Sequence, residues 1–238
     1  MESIWGKNIL VVGATGGIGI KTSKLLAASG ANLFIAARNR EKLELLATEI
    51  NLPLDKIFSF DIGKPEQVMA LRNQYFAQYT GIDTIVNAAG TGILKTMDDL
   101  TEEAFLQTLY VNLYGPFLLM KSFLPAMKTQ KKGLIIHIPG VLGKVPMAGA
   151  AAYSASKFGL VGMMQSIREE LKRTEIRITN LFLGGVDTSF WDTIDIRVQR
   201  DKMLMAEEAA KAIWFLCQQP SSGVVSEMVI QPFNHQAI

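Results

Sequence analysis

The sequence predicts an α/β fold, in which one doubly wound parallel sheet carries helices on both faces. Three observations predict it. Short apolar segments rich in β-branched residues alternate with helical segments along the chain, and a glycine-rich turn connects the first strand to the first helix. The 238 residues contain no repeats or low-complexity linkers and match the size of one α/β domain. We therefore expect a single domain over residues 1–238.

The composition limits the classes of partner. The 24 basic and 22 acidic residues are spread without long blocks of one sign, so we expect no nucleic-acid partner. No apolar run is long enough to cross a bilayer, so we expect no membrane partner. The first residues do not resemble a secretion signal, and the lone Cys217 lies in an apolar helical pattern that indicates packing. A cytoplasmic location fits these features best.

The first strand, Asn8–Val12, runs into a glycine-rich turn, and a helix follows over Ile20–Ser29. Glycines permit a tight turn and a close approach of the backbone to a phosphate, and the amides at a helix start carry partial positive charge. A strand before the turn and a helix after it favour a phosphate site over a plain turn. The candidate cofactor-binding residues of this turn are Gly13, Thr15, Gly17, Ile18 and Gly19.

The second strand, Asn32–Ala37, places Arg38 at its carboxyl end. In a dinucleotide-binding βαβ unit an acidic residue near this point holds the ribose 2′-hydroxyl, whereas an arginine accommodates a 2′-phosphate. No acid stands here, so the sequence favours NADP(H) over NAD(H). The alternative is that Arg38, with Asn39 and Arg40, opens the next helix, Glu41–Ile50, and points to solvent.

The third and fourth strands end in candidate cofactor-binding residues. Asp61 follows the strand Lys56–Phe60, and after a helix over Glu66–Tyr79 the fourth strand, Ile82–Val86, runs into a turn of small residues. Small side chains let a cofactor lie against the backbone. The candidates in this turn are Asn87, Ala88 and Gly90, although Asn87 could instead be a structural cap.

Asn112 lies in a long and otherwise apolar helical segment, Glu102–Lys128. Asparagine is unfavourable inside a helix unless its amide is bonded, so Asn112 either forms a local kink or is a functional group. Gly115 and Pro116 follow shortly afterwards and make a kink plausible.

A helix predicted over Ala151–Glu170 sets Tyr153 and Lys157 four residues apart, and therefore on one face. A cation near a phenol favours the phenolate and brings its pKa toward neutrality. The two side chains are thus a candidate proton donor and the cation that tunes it. The alternative is an ordinary helix with a half-buried tyrosine and an exposed lysine.

The segment 188–203 contains Phe190 and Trp191 among mixed charges. These aromatics either face an apolar or ring-containing substrate or pack the segment onto the body of the protein. His137, just before the end of a strand, is expected to be packed or at a sheet edge rather than catalytic. The remaining predicted elements are the strands Gly133–Ile138, Ile176–Phe182 and Glu227–Gln231 and the helix Ala206–Gln218.

Taken together, these motifs make the whole chain resemble the short-chain dehydrogenases/reductases. The turn VGATGGIG is similar to that family's TGxxxGxG, NAAG to its NNAG, and Tyr153-x-x-x-Lys157 to its catalytic YxxxK, with Asn112 between them in order. The resemblance implies a Rossmann-type NAD(P) domain in which Tyr153 exchanges a proton with a substrate oxygen. Lys157 would hold the nicotinamide ribose and lower the tyrosine pKa, and Asn112 would hold a water of the proton relay.

The resemblance also implies roles for residues whose patterns say little alone. It places Asp61 near the adenine, and it places Val186 and Thr188, within LGGVDT, on the nicotinamide side. Leu183 stands where the family has a proline, and Val12 where it has a threonine.

The departure that matters most is Gly140, which stands thirteen residues before Tyr153 where the family has a serine. That hydroxyl donates to the substrate oxygen, and losing one such donor typically lowers the rate by about 10²–10³-fold. No serine or threonine occurs between Lys131 and Ala152, so no small shift of alignment restores the hydroxyl. A backbone amide or an ordered water could substitute, or the glycine could make room for a bulkier substrate.

Two functions follow from the resemblance. The first is an NADP-dependent oxidoreductase that interconverts a carbonyl and an alcohol on a small to medium apolar substrate, with weakened catalysis. The second is an NADP(H)-binding sensor or scaffold of the same fold. The intact Tyr153, Lys157 and Asn112 favour the enzyme, because a pure binder would not need them. Surplus apolar residues on the helices around Asn112 and Tyr153, Phe117 and Phe158 among them, predict a homodimer or homotetramer.

Overall fold

The computed structural model describes residues 1–194, 196 and 198–234. Its strands are β1 (Asn8–Val12), β2 (Asn32–Ala37), β3 (Ile57–Ser59), β4 (Thr84–Asn87), β5 (Lys132–His137), β6 (Glu175–Leu183), β7 (Val186–Asp187), β8 (Leu204–Met205) and β9 (Glu227–Ile230). Its helices are α1 (Gly17–Ala28), α2 (Arg40–Glu49), α3 (Pro65–Gln78), α4 (Glu102–Leu109), α5 (Gly115–Gln130), α6 (Ala151–Leu171) and α7 (Ala206–Leu216).

Seven strands form one sheet in the order β3-β2-β1-β4-β5-β6-β9, and every pairing in it is parallel. The strand order reverses between β1 and β4. In open sheets of this kind a crevice forms outside the carboxyl ends of the strands at such a reversal. The turn after β1 and the turn after β4 therefore face each other across that crevice. The predicted fold class is confirmed.

Each face of the sheet is covered by its own apolar core, because successive side chains of a strand point to opposite faces. On β1, Val11 belongs to the core beneath α1, α2 and α7, whereas Leu10 belongs to the core beneath α3, α5 and α6. The strands are buried on both sides, which explains why they read as continuous apolar runs rather than alternating ones.

The predicted elements are present, with ends shifted by a few residues. The helix predicted without a break over Glu102–Lys128 is interrupted by a π-helical turn, Tyr110–Tyr114, in which the Gly115 N–H donates to the Tyr110 carbonyl. The helical segment is therefore irregular at Asn112, and a functional role for this residue stays a prediction. The pairing of β7 with β8 outside the main sheet was not predicted.

The structure shows where His137 and Cys217 lie. His137 is completely buried on β5, a strand with partners on both sides, so it is packed and the edge alternative is wrong. Cys217 is buried against the core of α7, as its apolar surroundings predict. Among the described residues, no helix is long and apolar enough to span a bilayer.

Candidate active site

The turn after β1 is tightly packed against the turn after β4. Gly13 has a φ of +79°, and a Cβ built on it would lie 2.5 Å from the Ala89 nitrogen, so both the backbone and the space require glycine. Helix α1 begins at Gly17 after the N-cap residue Gly16, and no side chain caps it within the described residues. The first amides of α1 thus have no side-chain acceptor, and Gly16 and Gly17 border the crevice, which is compatible with the predicted phosphate site.

A cavity of about 660 Å³ extends from this turn along the carboxyl ends of β1 to β3. Arg38 lines it from the end of β2, and Asp61 from the loop after β3. Asn39 caps α2 by accepting from the Lys42 N–H at 2.8 Å, and the helix begins at Arg40. The Arg38 side chain is exposed and also borders the cavity, so its role toward a phosphate stays a prediction. Lys42 also lines the cavity, which brings a second cation to the same end. Lys42 was not singled out from the sequence, because its approach to the cavity depends on where α2 begins.

Asn87 is 3% exposed and shapes the turn after β4. Its Oδ1 accepts from the Ala89 N–H at 3.2 Å, and its Nδ2 lies 3.3 Å from the His137 Nδ1. The side chain therefore points into the protein and is bonded as its alternative role of a structural cap requires, while a contact of Asn87 with cofactor stays a prediction. Ala88 and Gly90 do line the cavity.

The contact with Asn87 also fixes the state of His137. Because the amide nitrogen donates, the His137 Nδ1 accepts, and the Nε2 carries the proton. Burial, together with the charge of Lys157, lowers the pKa of His137 to about 3. His137 is therefore neutral at physiological pH.

Asn112 is 1% exposed, and its amide is fully engaged. The Oδ1 accepts from the Thr91 N–H at 2.9 Å, and the Nδ2 donates to the Thr91 carbonyl at 2.9 Å and to the Ser156 Oγ at 3.1 Å. Ser156 in turn donates to the Tyr153 carbonyl at 2.7 Å. Asn112 thus ties the π-helical turn, the segment after β4 and α6 together. Neither Thr91 nor Ser156 was singled out from the sequence.

Tyr153 and Lys157 lie on one face of α6, as predicted, with the Lys157 Nζ 5.2 Å from the centre of the tyrosine ring. Lys157 is 4% exposed and donates to the Ile138 carbonyl at 3.1 Å, so the alternative of an exposed lysine is wrong. Burial lowers the pKa of Lys157 to about 8 and raises that of Tyr153 to about 12. The expected lowering of the tyrosine pKa is therefore not seen, because burial outweighs the nearby cation.

Gly140 lines the same cavity as Tyr153, at the end of the loop that follows β5. Its backbone has a φ of +69°, and a Cβ built on it would meet only the Leu183 carbonyl, at 3.4 Å, among the described residues. There is room for a side chain, but the backbone conformation disfavours one.

The cavity beside Tyr153 has a volume of about 280 Å³ and a largely apolar lining. Val186 lines it, and Thr188 packs against Gly17, where a Cβ would lie 2.5 Å from the Thr188 Cγ2. Phe190 and Trp191 close it, with the Phe190 and Tyr153 ring centres 6.1 Å apart. Among the described lining residues Lys157 is the one charged side chain. Of the predicted segment 188–203, positions 195 and 197 lie outside the described residues.

Comparison with known proteins gives a consistent result. A sequence profile described as short chain dehydrogenase matches residues 7–198. An uncharacterized oxidoreductase of Staphylococcus epidermidis is 30% identical over 232 residues, which cover 98% of this chain and 100% of that protein.

Two solved structures are similar over nearly the whole chain. One is a metagenomic short-chain oxidoreductase in complex with NADP, with a TM-score of 0.84, 28% identity, and coverage of 98% of this chain and 100% of that one. The other is a variant of actinorhodin polyketide ketoreductase with NADPH, with a TM-score of 0.84, 25% identity, and coverage of 98% of both chains.

Proposed function

The chain belongs to the short-chain dehydrogenase family, and on that premise we propose that it is an NADP(H)-dependent oxidoreductase that reduces a neutral, largely apolar carbonyl compound to an alcohol. The observation that carries this proposal is the convergence of Tyr153, Lys157 and the glycine turn on one crevice at the carboxyl ends of the parallel strands. Both similar structures described above hold NADP or NADPH, which supports the choice of cofactor.

The residues present fit a dinucleotide. The amides of Gly17 and Ile18 at the start of α1 would hold the pyrophosphate, and Asp61 would lie near the adenine. Arg38 and Lys42, at the end of the larger cavity, would hold a 2′-phosphate. Ala88, Gly90, Val186 and Thr188 would line the path to the nicotinamide. When bound, the cofactor supplies the hydride for the reduction.

Tyr153 would act as the proton donor. With a pKa of about 12 the buried phenol keeps its proton at neutral pH, which suits it to give that proton to a carbonyl oxygen as negative charge develops there. The Lys157 ammonium beside it would stabilise the phenolate that remains. With its pKa near 8, Lys157 is still mostly charged at neutral pH.

Gly140 supplies no hydroxyl to the developing oxyanion, so we propose a catalyst weaker than a member of the family that has serine at this position. The largely apolar lining of this cavity favours an apolar substrate. The presence of a polyketide ketoreductase among the similar structures supports a ketone as the first class to test. The aromatic lining residues Phe190 and Trp191 support a ring-containing one.

The test is NADPH consumption with a panel of ketones and quinones. We expect turnover by the unmodified chain and its loss, with NADPH binding retained, in Tyr153→Phe. Tyr114→Phe, which removes the hydroxyl of an exposed tyrosine, is the matched control and should behave like the unmodified chain. Tight NADPH binding without turnover of any compound would instead favour the sensor or scaffold, for which Gly140 is the supporting observation.

A further inference from the structure

Phe190 lies in the substrate cavity between Tyr153 and Gly92. Its ring lies 6.1 Å from that of Tyr153 on α6, at an interplanar angle of 60°. On its other side it fills the space above Gly92, where any Cβ would overlap the phenyl ring. The Trp191 ring stands at 85° to it, with the centres 5.2 Å apart, so the two aromatics form an apolar corner next to the proton donor.

The turn that carries Phe190 is stabilised by two hydrogen bonds between residues of the turn and residues just before it. Thr188 caps a short 3₁₀ helix, Ser189–Thr193, by accepting from the Phe190 N–H at 3.3 Å. The Trp191 indole N–H donates to the Val186 carbonyl at 2.9 Å. These bonds shape the turn locally, but they do not connect it to the chain that returns after it.

Arg200 makes that connection. Its Nε donates to the Asp187 carboxylate, its Nη1 to the Asp192 carboxylate at 2.6 Å, and its Nη2 to the Thr188 carbonyl at 3.0 Å. The three acceptors lie before and after Phe190, so one guanidinium bridges the whole turn. The planar fork of arginine can donate in three directions at once, which the ammonium of lysine cannot do in this geometry.

The side chains of this group are 42% to 54% exposed, so each ion pair contributes little to global stability. We expect these ion pairs instead to restrict the local motion of the turn that carries Phe190. Arg200 does not line the substrate cavity among the described residues, whereas Phe190 does. Any influence of Arg200 on substrate therefore passes through the residues that it holds.

We propose that Arg200 is a positioning residue that holds Phe190 against Tyr153 and thereby sets the affinity for planar, ring-containing carbonyl substrates. This rests on the proposed function. A fixed phenyl face gives a flat substrate a stacking surface without the entropic cost of ordering the turn on binding.

The kinetic test compares Arg200→Met and Arg200→Lys with Lys202→Met, which removes a charge from the same short helix without touching the bridge. At saturating NADPH we expect Arg200→Met to raise KM for an aromatic ketone by about three- to tenfold with kcat nearly unchanged. Arg200→Lys should be intermediate, and Lys202→Met should match the unmodified chain. Higher salt should raise KM in the unmodified chain but not in Arg200→Met, because exposed ion pairs are screened.

A double variant tests whether the effect passes through Phe190. Phe190→Ala should raise KM by itself, and adding Arg200→Met to it should change KM no further. Additive effects would overturn the proposal. A rise in the NADPH dissociation constant without a rise in the carbonyl KM would also overturn it, because the bridge would then act through Thr188.

A fluorescence measurement separates failure of this inference from failure of the proposed function. The chain has three tryptophans, so Trp5→Phe with Trp214→Phe leaves Trp191 as the one indole. In that background Arg200→Met should increase acrylamide quenching of Trp191 and Lys202→Met should not, whether or not any carbonyl is turned over. Unchanged quenching in Arg200→Met would overturn the positioning role.

Discussion

The side-chain amide of Asn112 forms two hydrogen bonds with the backbone of Thr91, as a neighbouring strand would. The N–H of Thr91 donates to Oδ1 and its carbonyl accepts from Nδ2, each at 2.9 Å. Gly90 borders this pair, and a Cβ there would lie at ordinary contact distances, 3.4 Å from that Oδ1 and 3.7 Å from the Lys157 Nζ. The π-helical turn is thereby locked to the segment that borders the crevice. An irregular turn inside a helix is often found at a functional site.

The first prediction concerns this lock. Asn112→Asp keeps the shape of the side chain but replaces the donor toward the Thr91 carbonyl by an oxygen, and it buries a charge. We expect the free energy of unfolding to fall by about 2–4 kcal/mol, because the lost hydrogen bond leaves buried acceptors unpaired. Urea denaturation would measure it, with the exposed Asn73→Asp as control. A loss no larger than that of the control would mean that the pairing contributes no stability.

The second prediction concerns the choice of cofactor. Arg38→Ala should weaken NADP(H) binding by about ten- to a hundredfold and leave NAD(H) binding nearly unchanged, because only the former carries the 2′-phosphate. Isothermal titration would measure both. Arg40→Ala is the matched control, since the Arg40 Nε is already bonded to Glu44 at 2.7 Å. A preference for NADP(H) that survives the loss of Arg38 would shift the assignment to Lys42.

The third prediction concerns stability in acid. The pKa of His137 is lowered to about 3 in the folded protein, whereas the unfolded chain takes up that proton near pH 6.5. Between about pH 6.5 and pH 3 the unfolded state thus binds more protons than the folded state. The free energy of unfolding must therefore decrease as the pH is lowered through that range. The contribution reaches about 3 kcal/mol near pH 4.

The comparison that isolates this effect is His137→Asn, in which the amide can still meet Asn87 but does not titrate. The unfolding free energy of the variant should fall less steeply between pH 7 and pH 4. Parallel pH profiles for the two proteins would show that carboxylates alone cause the acid lability.

The fourth prediction concerns assembly. Four apolar side chains, 36% to 51% exposed, follow the outer face of α4, the π-helical turn and α5, and Phe158 on α6 is 43% exposed. The four are Leu106, Tyr110, Tyr114 and Phe117. Light scattering should give a dimer or tetramer at micromolar concentration, and Phe117→Asp should lower the mass. Leu45→Asp, at an apolar residue that is 67% exposed on α2, is the control and should not.

The sequence was sufficient for features that repeat along the chain or depend on local spacing. Alternating strands and helices gave the sheet, and a spacing of four residues placed Tyr153 and Lys157 on one face of α6. Features that depend on contacts between distant segments could not be predicted from the sequence. The burial of Lys157, which lowers its pKa, and the burial that raises the pKa of Tyr153 have no local pattern. The inward direction of Asn87 depends on His137, which lies 50 residues away along the chain. The bridge made by Arg200 joins residues that only a fold brings together.

The last prediction concerns Gly140, where the resemblance places a missing serine. The φ of +69° means that any side chain at this position strains the backbone, at a cost of about 1–2 kcal/mol. Gly140→Ser therefore changes two things at once, because it adds a hydroxyl donor and it destabilises the loop. Gly140→Ala introduces the same strain without the hydroxyl, so the difference between the two variants isolates the donor.

We expect both variants to lose similar stability in urea denaturation and to bind NADPH as the unmodified chain does, because Gly140 lines the substrate side of the crevice. Gly140→Ser should exceed Gly140→Ala in kcat for a small ketone by about tenfold, less than the 10²–10³ typical of such a donor, because the strained loop holds the hydroxyl away from its best position. KM should change less than kcat. If a bulky ketone is the natural substrate, both variants should raise its KM, since a Cβ alone narrows the cavity. Equal kcat values in the two variants, in protein that folds and binds NADPH, would show that a hydroxyl at this position does not reach the reacting oxygen.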